Sequence, residues 1–419
     1  MAKFFDVTSV YAEEDTLVLT VDGAHYRIPW QTCSPRLAAA QPPERAVIEV
    51  SPSGYGLHWP LVDEDLALRP LLAVAERLVD IEQDTHDRIP EMKPRERVLA
   101  ALRHQEPDRV PRFEIWIDAL FDELGQSDPA SVYAALGQDC VMMPTHHPPQ
   151  SNAWRNGVDE WGRVWQDGMF TTGVVDTLAD LDRYSPPLEY VEQFYDEDQI
   201  RAVRAAYPDH CLIFGTHIGP FTASYMAMGF ERFFLRLSTD MDFVQQLLDA
   251  RTDWCIAMYQ KAISLGAEVV VLGDDAAHGG GPMISPRMWR QFILPHHRRI
   301  VEALDVPVIW HSDGDMTRLL PSAIEAGFVG VHGLDVLAGM DLAKIKREYG
   351  QDLVLIGNLD VRVLFDSDLD AVRREVDRCM AQGATGGGYM IASCNSICEG
   401  MNPAAVAEMF RYEGEVGGC

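Results

Sequence analysis

The stretch "VPVIWHSDGD" (306–315) passes from apolar residues of core type to an imidazole and two carboxylates within a few positions. On an extended strand, residues two apart point to the same side, so His311 and Asp313 converge. An imidazole beside a carboxylate suits zinc or iron; equally, such a pair can simply share a hydrogen bond at a strand end. A second apolar run, "EVVVLGDDAAHGGGP", ends on two adjacent carboxylates, Asp274 and Asp275. One is expected as a ligand or base and the other as an N-cap or loop anchor. A third, "GGYMIASCNSICEG", ends on Cys394 and Asn395, with Cys398 and Glu399 just beyond. His278, His296, His297 and His332 find no partner in the sequence, and "LPHHRR" reads as part of an exposed helix. "ISPRMWRQF" reads as a helix start, with Ser285 as N-cap and Pro286 at the first position.

Groups so far apart in sequence need a scaffold that gathers strand ends. From residue 94 onward, apolar β-like runs alternate with helix-like runs. The strands are expected at 109–116, 139–145, 211–217, 267–275, 306–313, 328–335, 353–360 and 387–394. Continuously apolar strands imply burial on both faces, as in a parallel sheet. Eight of them with helices between predict a (β/α)8 TIM barrel, whose functional groups sit at the C-terminal strand ends. Those ends carry Glu114, His146 and His147, His217, Asp274 and Asp275, His311 and Asp313, Asp335, Asp360, and Cys394 with Asn395. Nearly every strand thus ends on a polar group, which predicts one polar mouth. The connection over 146–210 is long, and "DEWGRVWQDGMF" within it reads as a hairpin insertion decorating the barrel. A doubly wound open sheet is the competing architecture, but no Gly-rich phosphate loop supports it.

The first 85 or so residues read differently. "TLVLTVDGAHYRIPW" alternates about Asp22-Gly23, and "AVIEVSPSGYGLHWPLVDEDL" does so about Ser53-Gly54, each a hairpin signal. With the helix expected over "RPLLAVAERLVDIEQ", this predicts a small α+β, β-rich accessory or oligomerisation unit, and a possible homodimer. Its "DG-x-x-Y-x-I-P", "SPRLAAA" and "G-L-H-W-P-x-x-D-E-D-L" segments resemble a small bacterial domain family of uncharacterised function. The boundary is placed near residue 90. Over all 419 residues the formal net charge is -29, which repels nucleic acid, anionic lipid surfaces and polyanionic substrates. The chain has no run of eighteen apolar residues, no signal-peptide core at its start, and scattered cysteines without a CxxC pair. A cytoplasmic protein with free thiols is the expectation.

From about 94 to 412 the chain resembles the uroporphyrinogen decarboxylase superfamily. The resemblance rests on "RERVLAALRHQEPDRVP", "GPFTASYMAMGFERFF", "GDDAAHGGGPMISPRMWRQFILPHHRRIV", "WHSDGD", "IGNLDVRVL" and "GGYMIASCNSICEGMNPAAVAEMF". It implies a decorated (β/α)8 barrel, in agreement with the strand count. True decarboxylases of the superfamily are arginine-rich after the first strand, whereas this chain has the acidic "RFEIWIDALFDELG". The corrinoid-dependent methyltransferase branch holds zinc, in its thiol-methylating members, with a His-x-Cys pair and a late Cys. This chain keeps His311, has Asp313 at the Cys position, and has Asn395 where the last Cys is expected, with Cys394 one residue away. It therefore looks closer to the demethylating members, which pass a methyl from a methoxylated aromatic or another small donor to the cobalt of a corrinoid protein. No D-x-H-x-x-G corrinoid motif occurs, so the corrinoid would ride on a partner protein. On this reading the catalytic residues are His311, Asp313, Asp274 and Asn395. A zinc ion would be held by His311, Asp313 and Asp274, with Cys394 a further candidate. Alternatively, His311 would donate a proton, oriented by Asp313. Glu114, Trp116, His217, Tyr225 and Asp275 would meet the substrate, and Phe113 is a further ring candidate. A decarboxylase-like lyase on the same fold and a non-catalytic scaffold are the alternatives.

Overall fold

The runs flanking Asp22 pair as an antiparallel hairpin, β2 (Thr16–Val21) on β3 (Ala24–Pro29), with Asp22 at φ 50° in the turn. The structure, a computed structural model, describes residues 5–416 apart from 14, 23, 52–54, 75, 79–90, 118–125, 127–128, 146–155 and 218. It divides into two compact units, Met1–Pro90 and Glu91–Cys419. In the first, β1 (Val7–Ala12) joins the hairpin, while β4 (Glu49–Val50), β5 (Gly56–Trp59) and β6 (Glu64–Ala67) form a second sheet. The turn expected at Ser53-Gly54 lies outside the described residues, but β4 and β5 on either side of it pair antiparallel. Leu17, Leu19, Ile28, Leu57 and an edge-to-face Trp30–Trp59 pair fill the core of this unit. The helix expected over 69–83 is cut short. It spans Leu68–Val74, and the chain then runs as β7 (Glu76–Leu78), which pairs with β3. An open strand edge leaves backbone donors and acceptors without partners, and β7 supplies them.

In the second unit, seven parallel strands follow one another: β8 (Cys140–Met142), β12 (Cys211–Thr216), β13 (Val269–Gly273), β16 (Val308–His311), β17 (Gly330–Gly333), β18 (Val354–Gly357) and β19 (Tyr389–Met390). The eighth run, expected at 109–116, closes the ring through two isolated bridges, Arg112 with Ile391 and Ile117 with Ile397. On its other side Asp139 N–H donates to the Arg112 carbonyl. A regular ladder does not form, since Pro111 lacks an N–H and the Glu114 N–H goes to the Gln138 side chain. The fold is a decorated (β/α)8 barrel. Its insertion is a three-stranded antiparallel sheet, β9 (Gly157–Val158), β10 (Arg163–Gln166) and β11 (Met169–Gly173). β10 and β11 turn at Asp167-Gly168, both at positive φ, the type I′ signature. Between β13 and β16 a short hairpin, β14 (Ala277–His278) with β15 (Gly281–Pro282), covers the sequence after Asp275. Ser285 caps the helix Pro286–Phe292 as expected, accepting from Met288 N–H. No described helix is long and apolar enough to cross a membrane.

"LPHHRR" is not on an exposed face. Leu294, His296, His297 and Ile300 of the helix Leu294–Glu302 are buried, partly against the long helix Met241–Ser264. Each imidazole is accommodated by hydrogen bonds. The Thr252 hydroxyl donates to the Leu248 carbonyl, so His296 Nδ1–H must be the donor to Thr252 Oγ1 at 2.9 Å. Gln245 Nε2 then donates to His296 Nε2 at 2.7 Å. Burial holds the His296 ring down to about 4. The unfolded chain takes up this proton near the ordinary histidine value and the folded chain refuses it, so stability falls as pH drops from about 6.5 towards about 4. Replacing His296→Gln should flatten that part of the stability curve, measured by urea midpoints at stepped pH; an unchanged slope would contradict it. Since each unit has its own apolar core, Glu91–Cys419 expressed alone should also melt cooperatively. A dye-binding, non-cooperative species would show otherwise.

Candidate active site

β13 and β16 deliver the central groups. Ligand atoms of Asp275, His311 and Asp313 all lie within 4.8 Å of one another. The Asp313 N–H donates to Asp275 Oδ1 at 3.0 Å, and Asn395 Nδ2 donates to Asp313 Oδ1 at 2.8 Å. His311 Nε2 stands 3.6 Å from that same oxygen. Its Nδ1 lies 2.8 Å from His332 Nδ1 on the next strand, where the two histidines are register partners. The turn after Asp313 requires Gly314: at φ 80°, a Cβ there would stand 2.6 Å from the His278 nitrogen.

Burial dominates the electrostatics. It pushes Asp275 upward, with His311 opposing and the Asp313 charge reinforcing. It also raises Asp313, against the Asn395 hydrogen bond and with the help of Asp335. The His311 imidazole is held down to about 4 by burial, so it is neutral at pH 7. Two half-buried carboxylates beside a neutral imidazole lack positive charge. Two oxygens and one nitrogen suit zinc or a comparable divalent ion, which would relieve both upward shifts. The three ligand atoms, up to 4.8 Å apart, would have to draw together to share one ion.

Asp274 does not join them. Fully buried, its carboxylate sits 2.7 Å from His297 Nε2 and accepts from the N–H groups of Phe221 and Thr222 at 3.2 and 2.7 Å. Those N–H groups open the helix Pro220–Met228, an anion-binding position. Gly219 makes the approach possible, since a Cβ there would lie 2.4 Å from that of Asp274. Of the adjacent pair, then, Asp274 is the anchor and Asp275 the candidate ligand, whereas the sequence reading put Asp274 at the metal and Asp275 with the substrate. Cys394 stays outside the cluster too. The charges acting on its thiol are Asp335 and Asp360, and burial pushes it up to about 11. Glu114 is a strut rather than a pocket wall, with its two oxygens accepting from the Ser393 N–H and hydroxyl, each at 2.8 Å.

Trp116, His217, Tyr225 and Asp275 line one cavity of about 740 Å³. Trp116 stacks on His217 at 4.0 Å and meets His311 edge-on at 4.8 Å. Away from the cluster, Trp161, Trp165 and Phe170 of the insertion and Trp254 of the long helix extend the walls. Phe113 packs in the barrel core instead. Asp335 and Asp360 are spent on their own turns, accepting from Leu337 N–H and from Arg362. His146 and His147 lie outside the described residues. The sequence reading missed the roles of His332 and His297, and it missed the insertion as a pocket wall. Only for His332 was a signal present, a polar residue inside the apolar run "FVGVHGLD".

A parallel barrel with an acidic, imidazole-bearing mouth and an adjoining aromatic cavity defines a class of enzyme folds. Comparison with known proteins narrows it. The family described as Uroporphyrinogen decarboxylase (URO-D) matches residues 167–415, more than half of the chain, which belongs to that family. Residues 7–76 match a protein family of unknown function, DUF2442. Among curated relatives, the methylated-thiol–coenzyme M methyltransferase of Methanosarcina mazei is 25% identical over 247 residues, 58% of this chain and 57% of its own length. The methylcobamide:CoM methyltransferase MtbA of Methanosarcina acetivorans is 24% identical, covering 75% of this chain and 95% of the relative. A uroporphyrinogen decarboxylase of Saccharopolyspora erythraea is 30% identical over 45% of this chain and 55% of its own length. A solved methyltransferase from Methanosarcina mazei superposes with a TM-score of 0.64 at 21% identity, covering 78% of this chain and 99% of that one, which supports the fold alone.

The two aspartates should separate cleanly on substitution. Asp274→Ala strands two helix N–H groups and a buried imidazole, and should cost about 3 kcal/mol or more in chemical denaturation. Asp275→Asn keeps an acceptor for the Asp313 N–H, should change stability by less than about 1 kcal/mol, and should weaken zinc binding. The reverse pattern would return the ligand role to Asp274.

Proposed function

We propose that this protein transfers a methyl group from a small methylated donor, a methoxylated aromatic, to the cobalt of a corrinoid carried by a separate protein. The observation that carries the reading is the Asp275–His311–Asp313 cluster facing an aromatic-walled cavity. Breaking an aryl ether's O–CH3 bond leaves the electron pair on oxygen, a poor leaving group unless its charge is stabilised. A divalent ion held by Asp275, His311 and Asp313 would supply Lewis acidity at that oxygen. Trp116 and Tyr225, which line the cavity, would hold the ring. Asn395 fixes Asp313 through its amide, and neutral His311 offers a lone pair. His311 as the proton donor is the weaker alternative, because burial keeps its proton off at pH 7.

Two other readings follow from the relatives. Decarboxylation of a polycarboxylate would need arginines at the mouth. Here Arg109 and Arg112 start the first strand at the opposite end and pair with Asp139 and Glu413, while Arg163, which lines the cavity, pairs with Asp159. Thiol methylation would need a soft, thiolate-rich site. The Cys394 thiol instead lies outside the cluster, and Asp313 and Asn395 bond each other.

The test uses the full chain, elemental analysis, and Co(I) corrinoid with a panel of methoxylated aromatics, followed by absorbance. Stoichiometric zinc, methylation of the corrinoid, and loss of turnover on chelation with recovery on adding zinc back are expected. His311→Ala should lower turnover at least about 100-fold while circular dichroism stays unchanged. Chelator-insensitive turnover, decarboxylation of a tetrapyrrole, or binding of another protein without any turnover would overturn the reading. Coenzyme M should be methylated far more slowly than an ether is demethylated, and comparable rates would restore the thiol reading. Asp313→Cys with Asn395→Cys should tighten zinc binding and reduce ether demethylation.

A further inference from the structure

The cavity beside the cluster is larger than one methoxylated ring needs. A pocket of about 150 Å³ is enough for benzene. This one measures about 740 Å³. The excess follows an aromatic wall that starts at Tyr225, on the helix Pro220–Met228 that Asp274 holds. Tyr225 stacks on Phe230 at 4.7 Å, Phe230 meets Phe170 edge-on at 5.9 Å, and Phe170 meets Trp165 edge-on at 6.1 Å. The line thus leads to the insertion strands β10 and β11. A single ring held at Trp116 and Tyr225 would leave its far members uncovered, and Phe230 is 45% exposed. Apolar rings left facing water in a concave site gain free energy when a ligand covers them.

The far end is built rather than incidental. Buried Asp159 accepts from the backbone N–H of Trp161 at 3.0 Å and of Arg163 at 2.9 Å. It also takes Arg163 Nε at 2.6 Å and the Trp165 indole N–H at 2.8 Å. Arg251, buried on the helix Met241–Ser264, donates to the Trp161 carbonyl at 3.2 Å and lies 5.1 Å from the Trp161 ring centroid. The wall is therefore set before a ligand arrives, which lowers the ordering cost of binding. The same bonds decide the charge it will accept. Arg163 is the only lysine or arginine among the described lining residues, and it is engaged by Asp159, while Glu160 and Asp275 add negative charge. An anionic substituent would be repelled there.

We infer that the methyl donor is an uncharged, two-ring methoxylated aromatic. Its methoxylated ring would lie at Trp116 and Tyr225, and its second ring against Phe230, Phe170 and Trp165. The donor's identity as an aryl ether rests on the function proposed above; its length and neutrality rest on the wall.

The test is calorimetric binding to the full chain, without corrinoid, of methoxybenzene, 4-methoxybiphenyl and 4′-methoxybiphenyl-4-carboxylate. The neutral biphenyl should bind about 10- to 100-fold more tightly than methoxybenzene. Adding the carboxylate should weaken the biphenyl at least about tenfold. Phe170→Ala should cost the biphenyl about tenfold more affinity than it costs methoxybenzene, which separates a seated second ring from general stickiness. Equal affinity for one and two rings, a carboxylate bound as tightly as the neutral biphenyl, or equal losses for both ligands in Phe170→Ala would each overturn the inference. If Phe170→Ala does not fold, Phe170→Leu and the parent panel still decide. Binding needs no turnover, so failure of every ether to methylate Co(I) corrinoid would sink the methyl-transfer reading while the ring and charge preferences are judged on their own.

Discussion

The arrangement of the mouth depends on one buried carboxylate. Asp274 gathers the first N–H groups of the helix Pro220–Met228, the imidazole of His297, and, through its carbonyl, the indole N–H of Trp310. The end of strand β13, the helix Pro220–Met228 and the helix Leu294–Glu302 thus meet at one residue. Because side chains alternate along extended backbone, fixing Asp274 inward leaves Asp275 to face the cavity. Thr222 completes the arrangement by accepting the Asp275 N–H at 2.8 Å. Hydrogen bonds surround the Asp274 carboxylate, whereas Asp275 has mostly other acids for company, and the difference separates an anchor from a candidate ligand.

At the other end of the barrel, a second charge network does purely structural work. Asp139, fully buried, accepts from Arg97, Arg109 and the Arg112 N–H, and Arg112 continues to Glu413. This is where the irregular first strand is pinned. Glu114 pins it again further along, on Ser393. Side-chain bonds supplement the few backbone pairs that remain beside Pro111, so ring closure is shared between ionic contacts and isolated backbone bridges.

Much of this was legible from residue order. Seven of the eight apolar runs became strands at the expected places, the hairpin insertion formed, and Ser285 caps its helix. Alternation and apolar runs report burial, which is a property of one segment at a time. What stayed hidden depended on pairs of segments. The Asp274/Asp275 choice was set by a helix some fifty residues earlier, through Gly219. The burial of His296 and His297 was set by partners on the helix Met241–Ser264 and on β13. The helix expected at 69–83 gave way to strand β7 because β3 offered an open edge. His332 was visible as an oddity, but its partner is fixed by strand register, which no spacing along one strand reveals.

The insertion sheet bears on how such a barrel can diversify. Its last strand ends with Gly173 packed directly on the backbone of the helix Pro220–Met228, where a Cβ would come within 2.1 Å of the Ala227 carbonyl oxygen. Val175 N–H bonds that same carbonyl, and Arg232 reaches back to the Gly173 carbonyl. Wall and floor of the cavity are therefore joined through main chain, while Trp161, Trp165 and Phe170 project from the wall as ordinary side chains. Exchange of Trp165 or Phe170 would reshape the chamber without touching the main-chain join to the helix that Asp274 holds. The selectivity of the barrel can drift while its charged centre stays fixed.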